Sequence, residues 1–279
     1  MSSAVYNLNH DWDNEVKRLR IQHDFFRDLA GGELPAPVWA HVKGLEAPKI
    51  ADVGTGTGIW ATELSQKLPE TAVIDGYDID VIKFPDPTTL PRNVKLQFAD
   101  IFKPFPPEAT GKYDVVHVRF LIFALKKDEW LLAVKNLKKL LAPGGFLFWQ
   151  ETGPYSWSSS PWSEPYFQWV KLESEVGILL GRDPLAPVRL PSQFKEAGLA
   201  GVEEKIFAML RQSSMTPVDE QPGLLIMAQS LTGLVENGTL KGRYTKEDVR
   251  KLVEAARVDV QNGTAISANF HWTWGQNII

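Results

Sequence analysis

The segment at residues 50–58, IADVGTGTG, constrains the fold of this chain more than any other stretch. It joins a short apolar run to a helical pattern, so it predicts a strand, a glycine-rich turn and a helix in succession. Glycine tolerates positive φ angles and lets a ligand approach the backbone without meeting a Cβ atom. The helix that follows offers unpaired N–H groups and the positive end of its dipole. The segment therefore predicts a ligand-binding turn in an α/β fold.

The spacing of the three glycines argues against two common nucleotide sites. Gly54, Gly56 and Gly58 alternate, whereas a dinucleotide turn follows G-x-G-x-x-G/A, whose third glycine position is occupied here by Ile59. The chain has no G-x-x-x-x-G-K-[ST] segment, which excludes a P-loop. Asp52 places a carboxylate before the turn, where it disfavours a pyrophosphate but can order the turn or meet an ammonium group. An NAD-dependent dehydrogenase is therefore the disfavoured alternative, and no Tyr-x-x-x-Lys pair near the fourth or fifth strand supports one.

Strand and helix patterns alternate from residue 49 onwards, which predicts a mostly parallel sheet with right-handed crossovers. The helical patterns include 59–67 and 129–141, and the second is expected to stop at Pro143-Gly144-Gly145. The predicted strands are 49–53, 71–77, 94–98, 113–118, 146–150, 202–210 and 264–274.

The chain is expected to divide into three parts around this sheet. Residues 1–45 predict a helical lid, 46–152 the ligand-binding core, and 153–279 a cap insertion followed by completion of the sheet. The cap is expected to begin at 154–191, where Ser, Pro and Trp break the strand–helix rhythm. Helices are predicted in this last part at 162–180, 192–197, 222–236 and 246–262.

Two aspartates follow the second and third predicted strands. Asp78 can accept two hydrogen bonds from a ribose diol, and Asp100 can accept one from an adenine amino group. The apolar residues Ile101 or Phe102 can pack against the adenine ring. Because the carboxyl ends of parallel strands meet at one edge of a sheet, the turn and both aspartates predict one adenosine-binding crevice.

The composition excludes several other functions. The 279 residues include no cysteine, which rules out disulfides, thiolate metal ligands and cysteine nucleophiles. A net charge of -4 provides no electrostatic footprint for nucleic acid. No apolar run is long enough for a membrane span and no signal-peptide pattern opens the chain, so a cytoplasmic protein is expected. The His, Asp and Glu residues lack metal-ligand spacing, so no metal is expected.

Together these segments resemble class I S-adenosylmethionine-dependent methyltransferases, and most closely the branch of fungal secondary metabolism. The resemblance spans roughly residues 45–152. It implies a Rossmann-like, doubly wound, mostly parallel seven-stranded sheet with the last strand antiparallel. It also implies S-adenosyl-L-methionine as cofactor and S-adenosyl-L-homocysteine as product. The matching stretches are DVGTGTG at 52–58, Asp78, Ala99-Asp100, Tyr113-Asp114-Val115-Val116 and LLAPGG at 140–145.

The resemblance also implies which residues surround the cofactor. In this branch an N-terminal helix with a pattern like Arg18-Leu19-Arg20-Ile21-Gln22-His23 covers the cofactor. A tryptophan such as Trp60 after the turn is typical of the same branch. The residues expected at the cofactor are Asp52, Gly54, Thr55, Gly56, Gly58, Trp60, Asp78, Ile79, Asp100, Ile101, Arg119, Arg18 and Gln22.

Three residues are candidates for catalysis. Methyl transfer from a sulfonium is an in-line displacement, in which the protein mainly positions the reactants and excludes water. A base is needed when the acceptor is a neutral hydroxyl. His23 is the first candidate for that base, Glu151 is a second base or an orienting carboxylate, and Arg119 is expected at the edge of the site. His117 and His271 lie in predicted strands, where a hydrogen-bonded core histidine is expected.

The expected function is methylation, at oxygen or nitrogen with oxygen favoured, of an apolar small molecule of the secondary-metabolite type. The ten tryptophans suit either a pocket for a flat apolar ligand or ordinary core packing. Two alternatives stay open: use of the same fold for a non-methylating reaction such as cyclisation or dehydration, or a regulatory role. The expected partner is the small molecule, with neither nucleic acid nor membrane, and homodimerisation stays open.

Overall fold

The computed structural model of the chain describes residues 12–208 and 221–279. The start of the expected lid and the last two residues of the strand expected at 202–210 lie outside the described residues. The strands are β1 (Lys49–Val53), β2 (Val73–Asp78), β3 (Val94–Phe98), β4 (Tyr113–Arg119), β5 (Leu141–Glu151), β6 (Ser158–Ser160), β7 (Ala200–Ala208), β8 (Ala265–Ser267) and β9 (Asn269–Gln276). The helices are α1 (Trp12–Ala30), α2 (Ala36–Lys43), α3 (Ile59–Ser65), α4 (Trp130–Lys138), α5 (Glu164–Leu179), α6 (Ala186–Glu196), α7 (Pro222–Glu236) and α8 (Lys246–Gln261).

Seven strands form one twisted sheet in the order β3-β2-β1-β4-β5-β9-β7. Neighbours from β3 to β5 pair in parallel, whereas β9 pairs antiparallel with both β5 and β7. This arrangement confirms the predicted doubly wound, mostly parallel seven-stranded sheet with its last strand antiparallel. The sheet order reverses beside β1 and β4, so a crevice opens at the carboxyl ends of these two strands.

Helices cover both faces of the sheet, and this explains the continuously apolar central strands. On one face α1, α2 and α3 contribute Phe26, Val38 and Trp60, which pack against Ile50 and Phe148 of the sheet. On the other face α4 and α6 pack with alternate residues of the same strands: Ala51, Val53, Val116, Val118, Leu147 and Trp149. The side-chain alternation along each strand therefore distributes one run of apolar residues between two buried layers.

The structure corrects the boundary predicted around Pro143-Gly144-Gly145. Helix α4 ends at Lys138, and these three residues lie inside β5, which begins at Leu141. A Cβ on Gly145 would lie 2.7 Å from the carbonyl oxygen of Tyr113, so only glycine lets β5 approach β4 this closely. The glycines thus accommodate a close strand contact, and the helix ends before them.

Two further boundaries differ from the predictions. Helix α6 begins at Ala186, earlier than the predicted 192–197, and carries Pro191 in its interior; it packs on the sheet through Leu190 and Phe194. The final strand predicted at 264–274 is divided into β8, which pairs with β6, and β9, which joins the main sheet. Tertiary partners on either side of residue 268 separate the two strands.

Helices α5, α7 and α8 form a cap with its own apolar core. Trp169, Met227 and Leu231 are fully buried there, and α8 contributes Val249 and Ala256. The side chain of Ser163 accepts from the backbone N–H of Tyr166 and begins α5, and a Thr245–Asp248 capping box begins α8. Among the described residues, no helix combines the length and the apolar character that a bilayer span requires.

Candidate active site

The glycine turn between β1 and α3 is tied to the neighbouring strand. Gly54, Gly56 and Gly58 have φ angles of 73°, 58° and 73°, which favour glycine. The backbone N–H groups of Gly54 and Thr55 donate to the carbonyl oxygen of Tyr77 at 2.7 and 3.0 Å. A Cβ on Gly56 would meet nothing within 4 Å. The turn is therefore open at Gly56, where no described atom lies within contact distance of the added Cβ.

Asp52 lies beneath this turn and is bound by residues of the protein itself. It is 2% exposed. Its Oδ2 accepts from the Thr55 hydroxyl at 2.6 Å, and its Oδ1 lies 2.7 Å from His117 Nδ1. Of the two roles expected for this carboxylate, the structure shows that it orders the turn.

His117 and Trp60 pack directly against each other under the turn. Their rings stack with centroids 3.6 Å apart and planes 15° apart. His117 Nε2 lies 3.0 Å from Gln150 Oε1, and burial lowers the pKa of this histidine. Trp60 is 1% exposed, so in this structure it supports the turn from below and has almost no surface left for a ligand.

Asp78, at the end of β2, links the turn to the open crevice. Its Oδ2 accepts from Gly56 N–H at 2.8 Å and its Oδ1 from Asp80 N–H at 2.9 Å. Burial raises the pKa of this carboxyl, and the two backbone donors oppose that rise. Each oxygen retains a lone pair, since a carboxylate can accept about four hydrogen bonds. Ile79 and Phe98 flank Asp78 and are 50% and 63% exposed, which is high for apolar side chains.

Asp100 follows β3 beside this apolar surface. Its Oδ1 accepts from Phe102 N–H at 2.9 Å, and Asn136 donates to the carbonyl oxygen of Ile101 at 3.0 Å. Asp100 and Ile101 are both half-buried. Because Asp78 pairs with Phe98 across β2 and β3, the two aspartates lie at one edge of the sheet, as the sequence predicted.

Helix α1 joins the carboxyl end of β4 through His23. The guanidinium of Arg119 donates to His23 Nδ1 at 2.9 Å, so the hydrogen of this imidazole is on Nε2, which lies 2.8 Å from Glu63. Arg27 also donates to Glu63, at 2.9 Å. Burial and the positive charge of Arg119 lower the pKa of His23 to about 4. His23 is thus a neutral link between Arg119 and α3, without a lone pair available to act as the expected base.

Arg119 is half-buried at the end of β4, where its chemistry suits an anionic group. Burial lowers its pKa to about 10, while the charges of Asp52 and Glu63 oppose that shift, and it stays a cation at neutral pH. On helix α1, which also carries His23, Arg18 donates to Gln22 at 3.0 Å, and both side chains are half-buried. Arg119 lies at the end of β4 and Asp78 at the end of β2, so the two residues are on opposite sides of β1 and of the turn that follows it.

Glu151 is fully buried at the end of β5 and binds backbone groups. Its carboxylate accepts from the N–H groups of Leu121 at 2.8 Å and Thr152 at 3.1 Å, and from the indole of Trp149 at 3.3 Å. Burial raises its pKa to about 8. In this structure Glu151 holds the loop after β4 instead of facing a substrate as a base.

The loop after β4 begins with a strained residue. Phe120 has a φ angle of 56°, which a non-glycine residue rarely adopts. Its ring lies 4.9 Å from Phe26 of α1 and 5.7 Å from Phe270 of β9, between centroids. The bond from Leu121 to Glu151 helps to hold this conformation. Such strain is characteristic of functional sites.

A chain of three polar residues near this edge was missed by sequence reasoning. His271 of β9 lies between Glu204 of β7, 2.7 Å from its Nδ1, and the hydroxyl of Tyr155, which contacts its Nε2. The three residues come from separate segments, and no spacing in the sequence links them. The sequence identifies only His271 among them, as a core histidine.

His23, Asp24 and Glu63 have ligand atoms within 4.8 Å of one another, the spacing of a metal site. However, Glu63 and Asp24 pair with Arg27, and His23 accepts from Arg119. Two guanidinium groups at this distance oppose the binding of a cation. These contacts favour a network of ion pairs at this position.

The donor set of the crevice fits an adenosine that bears an amino acid. An open glycine turn, the carboxylate of Asp78 and the exposed rings and alkyl groups beside it suit a ribose and an apolar base. Asp52 and Asp78 close to the turn disfavour a pyrophosphate. Arg119 on the other side of the turn suits a carboxylate.

Comparison with known proteins identifies several methyltransferases to which this chain is similar. The model of a family described as a methyltransferase domain matches residues 27–216. Methyltransferase grgD from Penicillium sp is 31% identical over 272 residues, which cover 92% of this chain and 91% of that protein. N-methyltransferase tcpN from Claviceps purpurea is 32% identical over 197 residues, covering 69% of this chain and 68% of that protein. A crystal structure of an S-adenosylmethionine-dependent methyltransferase from Archaeoglobus fulgidus has a TM-score of 0.49 at 12% identity, covering 94% of each chain.

The matched family region contains the glycine turn, both aspartates and Arg119, and the match to grgD spans nearly the whole chain. These findings confirm the predicted family and its cofactor, S-adenosyl-L-methionine. The chain belongs to the methyltransferase domain family, as a class I S-adenosylmethionine-dependent methyltransferase of the fungal secondary-metabolism type.

Proposed function

We propose that this methyltransferase transfers a methyl group to a nitrogen atom of an apolar small molecule. The observation that carries the apolar acceptor is the aromatic surface at the end of β4, where half-buried Phe120 and Phe123 follow Arg119. The sequence alone favoured oxygen as acceptor. Nitrogen replaces it because the relative tcpN, which matches 69% of this chain, is named as an N-methyltransferase.

In this proposal the two aspartates hold the nucleoside of S-adenosylmethionine. Asp78 accepts from the ribose hydroxyls and Asp100 from the adenine amino group. Ile79 and Ile101 pack against the base, and Gly54, Gly56 and Gly58 let the cofactor approach the turn. The partial exposure of Ile79 and the lone pairs that remain on Asp78 support this assignment.

Arg119, with Arg18 and Gln22 of α1, holds the amino-acid end of the cofactor. A guanidinium binds a carboxylate with two parallel hydrogen bonds, and its partial burial strengthens the attraction. When bound, S-adenosylmethionine supplies an electrophilic methyl group, so the protein must position the acceptor and exclude water. His23 acts here by orienting Arg119, Asp52 and Thr55 order the turn, and Glu151 orders the loop that carries Phe120.

Calorimetry with S-adenosylmethionine tests the cofactor site. Asp78→Asn removes the charge but keeps the shape, and the loss of charge-assisted hydrogen bonds should weaken binding about 10- to 100-fold. Asp86→Asn is the matched control, because Asp86 caps an exposed turn of the same loop region. Binding by Asp78→Asn as tight as that of the wild type would refute the assignment.

Turnover with methyl-deuterated S-adenosylmethionine tests which atom of the acceptor receives the methyl group. Incubation with indoles, anilines, secondary amides and phenols should label a nitrogen compound, detected by mass spectrometry, with equal release of S-adenosylhomocysteine. Labelling confined to the phenols would contradict nitrogen as acceptor. Conversion of an acceptor without release of S-adenosylhomocysteine would instead indicate a non-methylating reaction.

A further inference from the structure

Tyr155, His271 and Glu204 form a continuous hydrogen-bonded chain across three elements. Tyr155 lies in the short turn Pro154–Ser156 that follows β5, His271 is the third residue of β9, and Glu204 lies on β7. His271 is fully buried, whereas the Glu204 side chain is 26% exposed. The three hydrogen-bonded side chains thus lead from the carboxyl end of β5 to solvent at β7, the edge strand of the sheet.

The direction of the hydrogen bonds follows from the chemistry of the groups. An ionised carboxylate only accepts, so His271 Nδ1 carries a hydrogen and donates it to Glu204 across 2.7 Å. In the neutral imidazole Nε2 then accepts from the hydroxyl of Tyr155. The hydroxyl oxygen keeps lone pairs that can accept a further hydrogen bond. The chain is therefore polarised to move a proton from Tyr155 towards Glu204.

The inner end of the chain lies beside the loops that surround the acceptor in the proposed function. His271 pairs across the strands with Glu151, whose carboxylate holds the loop after β4. Pro154, next to Tyr155, lines a small cavity together with Ile122 and Phe123. The side chain of Tyr155 is half-buried, and the turn that carries it packs against helix α5 of the cap.

We propose that Tyr155, His271 and Glu204 form a relay that carries the acceptor's proton to solvent during methylation. The inference rests on the proposed function. Transfer of a methyl group from the sulfonium to an acceptor N–H breaks the S–CH3 bond, forms an N–CH3 bond and leaves one proton to be removed. That proton passes to Tyr155 Oη while the phenol hydrogen moves to His271 Nε2 and the Nδ1 hydrogen moves to Glu204, which releases it to water.

This relay assigns different roles to the three residues. Tyr155 is a catalytic residue, because its hydroxyl contacts the acceptor. His271 and Glu204 act through it, as positioning residues that accept and export the proton. Burial and the charge of Glu204 raise the pKa of Tyr155 to about 12, so the phenol is neutral at pH 7 and acts as a relay hydroxyl.

The pH profile of turnover separates a relay from a structural contact. With a nitrogen acceptor from the labelling screen, Tyr155→Phe and Glu204→Gln should lower kcat about 100-fold at pH 7, the range of general-base contributions. The deficit should shrink at high pH, where hydroxide takes the proton, while cofactor affinity in calorimetry stays unchanged. Glu203→Gln is the matched control, because Glu203 is the exposed neighbour on the same strand and should behave as the wild type. A deficit that is equal at every pH, or no deficit, overturns the relay.

A second readout needs no acceptor. Nitrogen-15 NMR of the histidine-labelled protein with S-adenosylhomocysteine should show the His271 hydrogen on Nδ1, and Tyr155→Phe should shift only the Nε2 signal towards that of an unbonded nitrogen. A hydrogen on Nε2 reverses the polarity and overturns the relay even if no acceptor is found. If the wild-type protein fails to bind the cofactor in calorimetry, the proposed function fails. The NMR result still decides the direction of the hydrogen bonds among Tyr155, His271 and Glu204.

Discussion

Three carboxylates at strand ends of this sheet differ in chemistry because their partners differ. Asp52 is enclosed by Thr55 and His117, and Asp78 accepts from two backbone groups but borders open space. Glu151 is fully buried against backbone N–H groups of its own and the neighbouring loop. The same functional group therefore orders a turn, is proposed to bind a ribose, and holds a loop.

The burial of Glu151 should be visible as a pH dependence of stability. Its pKa rises from 4.5 to about 8 on folding, so between these values the folded state binds more protons than the unfolded state. Stability contributed by this group must then fall as pH rises from 5 to 8. We expect Glu151→Gln to reduce that fall, measured by urea denaturation at several pH values.

The comparison with wild type isolates this group from others. Burial lowers the pKa of His23 and raises that of Glu173, so both add pH dependence of their own. These contributions are common to both proteins and cancel in the difference between them. Parallel stability curves for wild type and Glu151→Gln between pH 5 and 8 would show that the carboxyl is not perturbed by folding.

At the scale of elements, the glycine turn depends on two different constraints. Gly56 and Gly58 both have positive φ angles. Of the two, only Gly58 also lies against a side chain of another strand, Leu96 of β3. Turn, helix α3 and strand β3 thus meet at Gly58. The identity of this contact could not be predicted, since Leu96 is distant in the sequence.

Alanine substitution should separate these constraints. A Cβ at position 58 would lie 2.9 Å from Leu96 Cδ1, whereas one at position 56 would meet nothing within 4 Å. Gly56→Ala should therefore cost only the left-handed backbone, roughly 1–2 kcal/mol. Gly58→Ala should cost more, and Leu96→Ala in the same chain should recover part of the difference.

Urea denaturation of these variants measures the free energies of unfolding. The double variant also loses the buried part of Leu96, so it is compared with Leu96→Ala alone. Equal losses for Gly56→Ala and Gly58→Ala would contradict the contact with Leu96 and leave backbone strain as the whole effect.

At the scale of the whole molecule, the cap has an apolar core separate from the two layers of the sheet. Leu231 is fully buried among α5, α7 and α8, and Leu147 is fully buried in β5. Separate cores allow regions of one chain to open independently. We expect the cap to open more readily than the sheet when its own core is weakened.

Matched cavity variants test this independence. Leu231→Ala and Leu147→Ala should each cost about 2–5 kcal/mol in the region that they affect. In hydrogen exchange, Leu231→Ala should reduce amide protection in α5, α7 and α8 while β1, β4 and β5 keep theirs. Protection lost equally in the cap and the sheet would show that the two unfold as one unit.

Much of the fold was determined by the sequence itself. The alternation of strands with helices, the glycine turn and the aspartates after β2 and β3 all follow from residues close together in the chain. Backbone preference and hydrophobic period act at that range, so the sheet and the position of the crevice could be predicted. The boundary errors arose from contacts beyond that range: Pro143-Gly144-Gly145 is expected to stop a helix but instead accommodates a close contact with β4.

The roles of individual polar residues were decided only by the tertiary structure. His23 and Glu151 had the correct residue types for a base, but Arg119 occupies the lone pair of the first and backbone N–H groups surround the second. Tyr155 and Glu204 meet His271 only because β5, β7 and β9 are adjacent in the sheet. Burial and hydrogen-bond partners determine whether a titratable group is reactive, and both come from residues that are distant in the sequence.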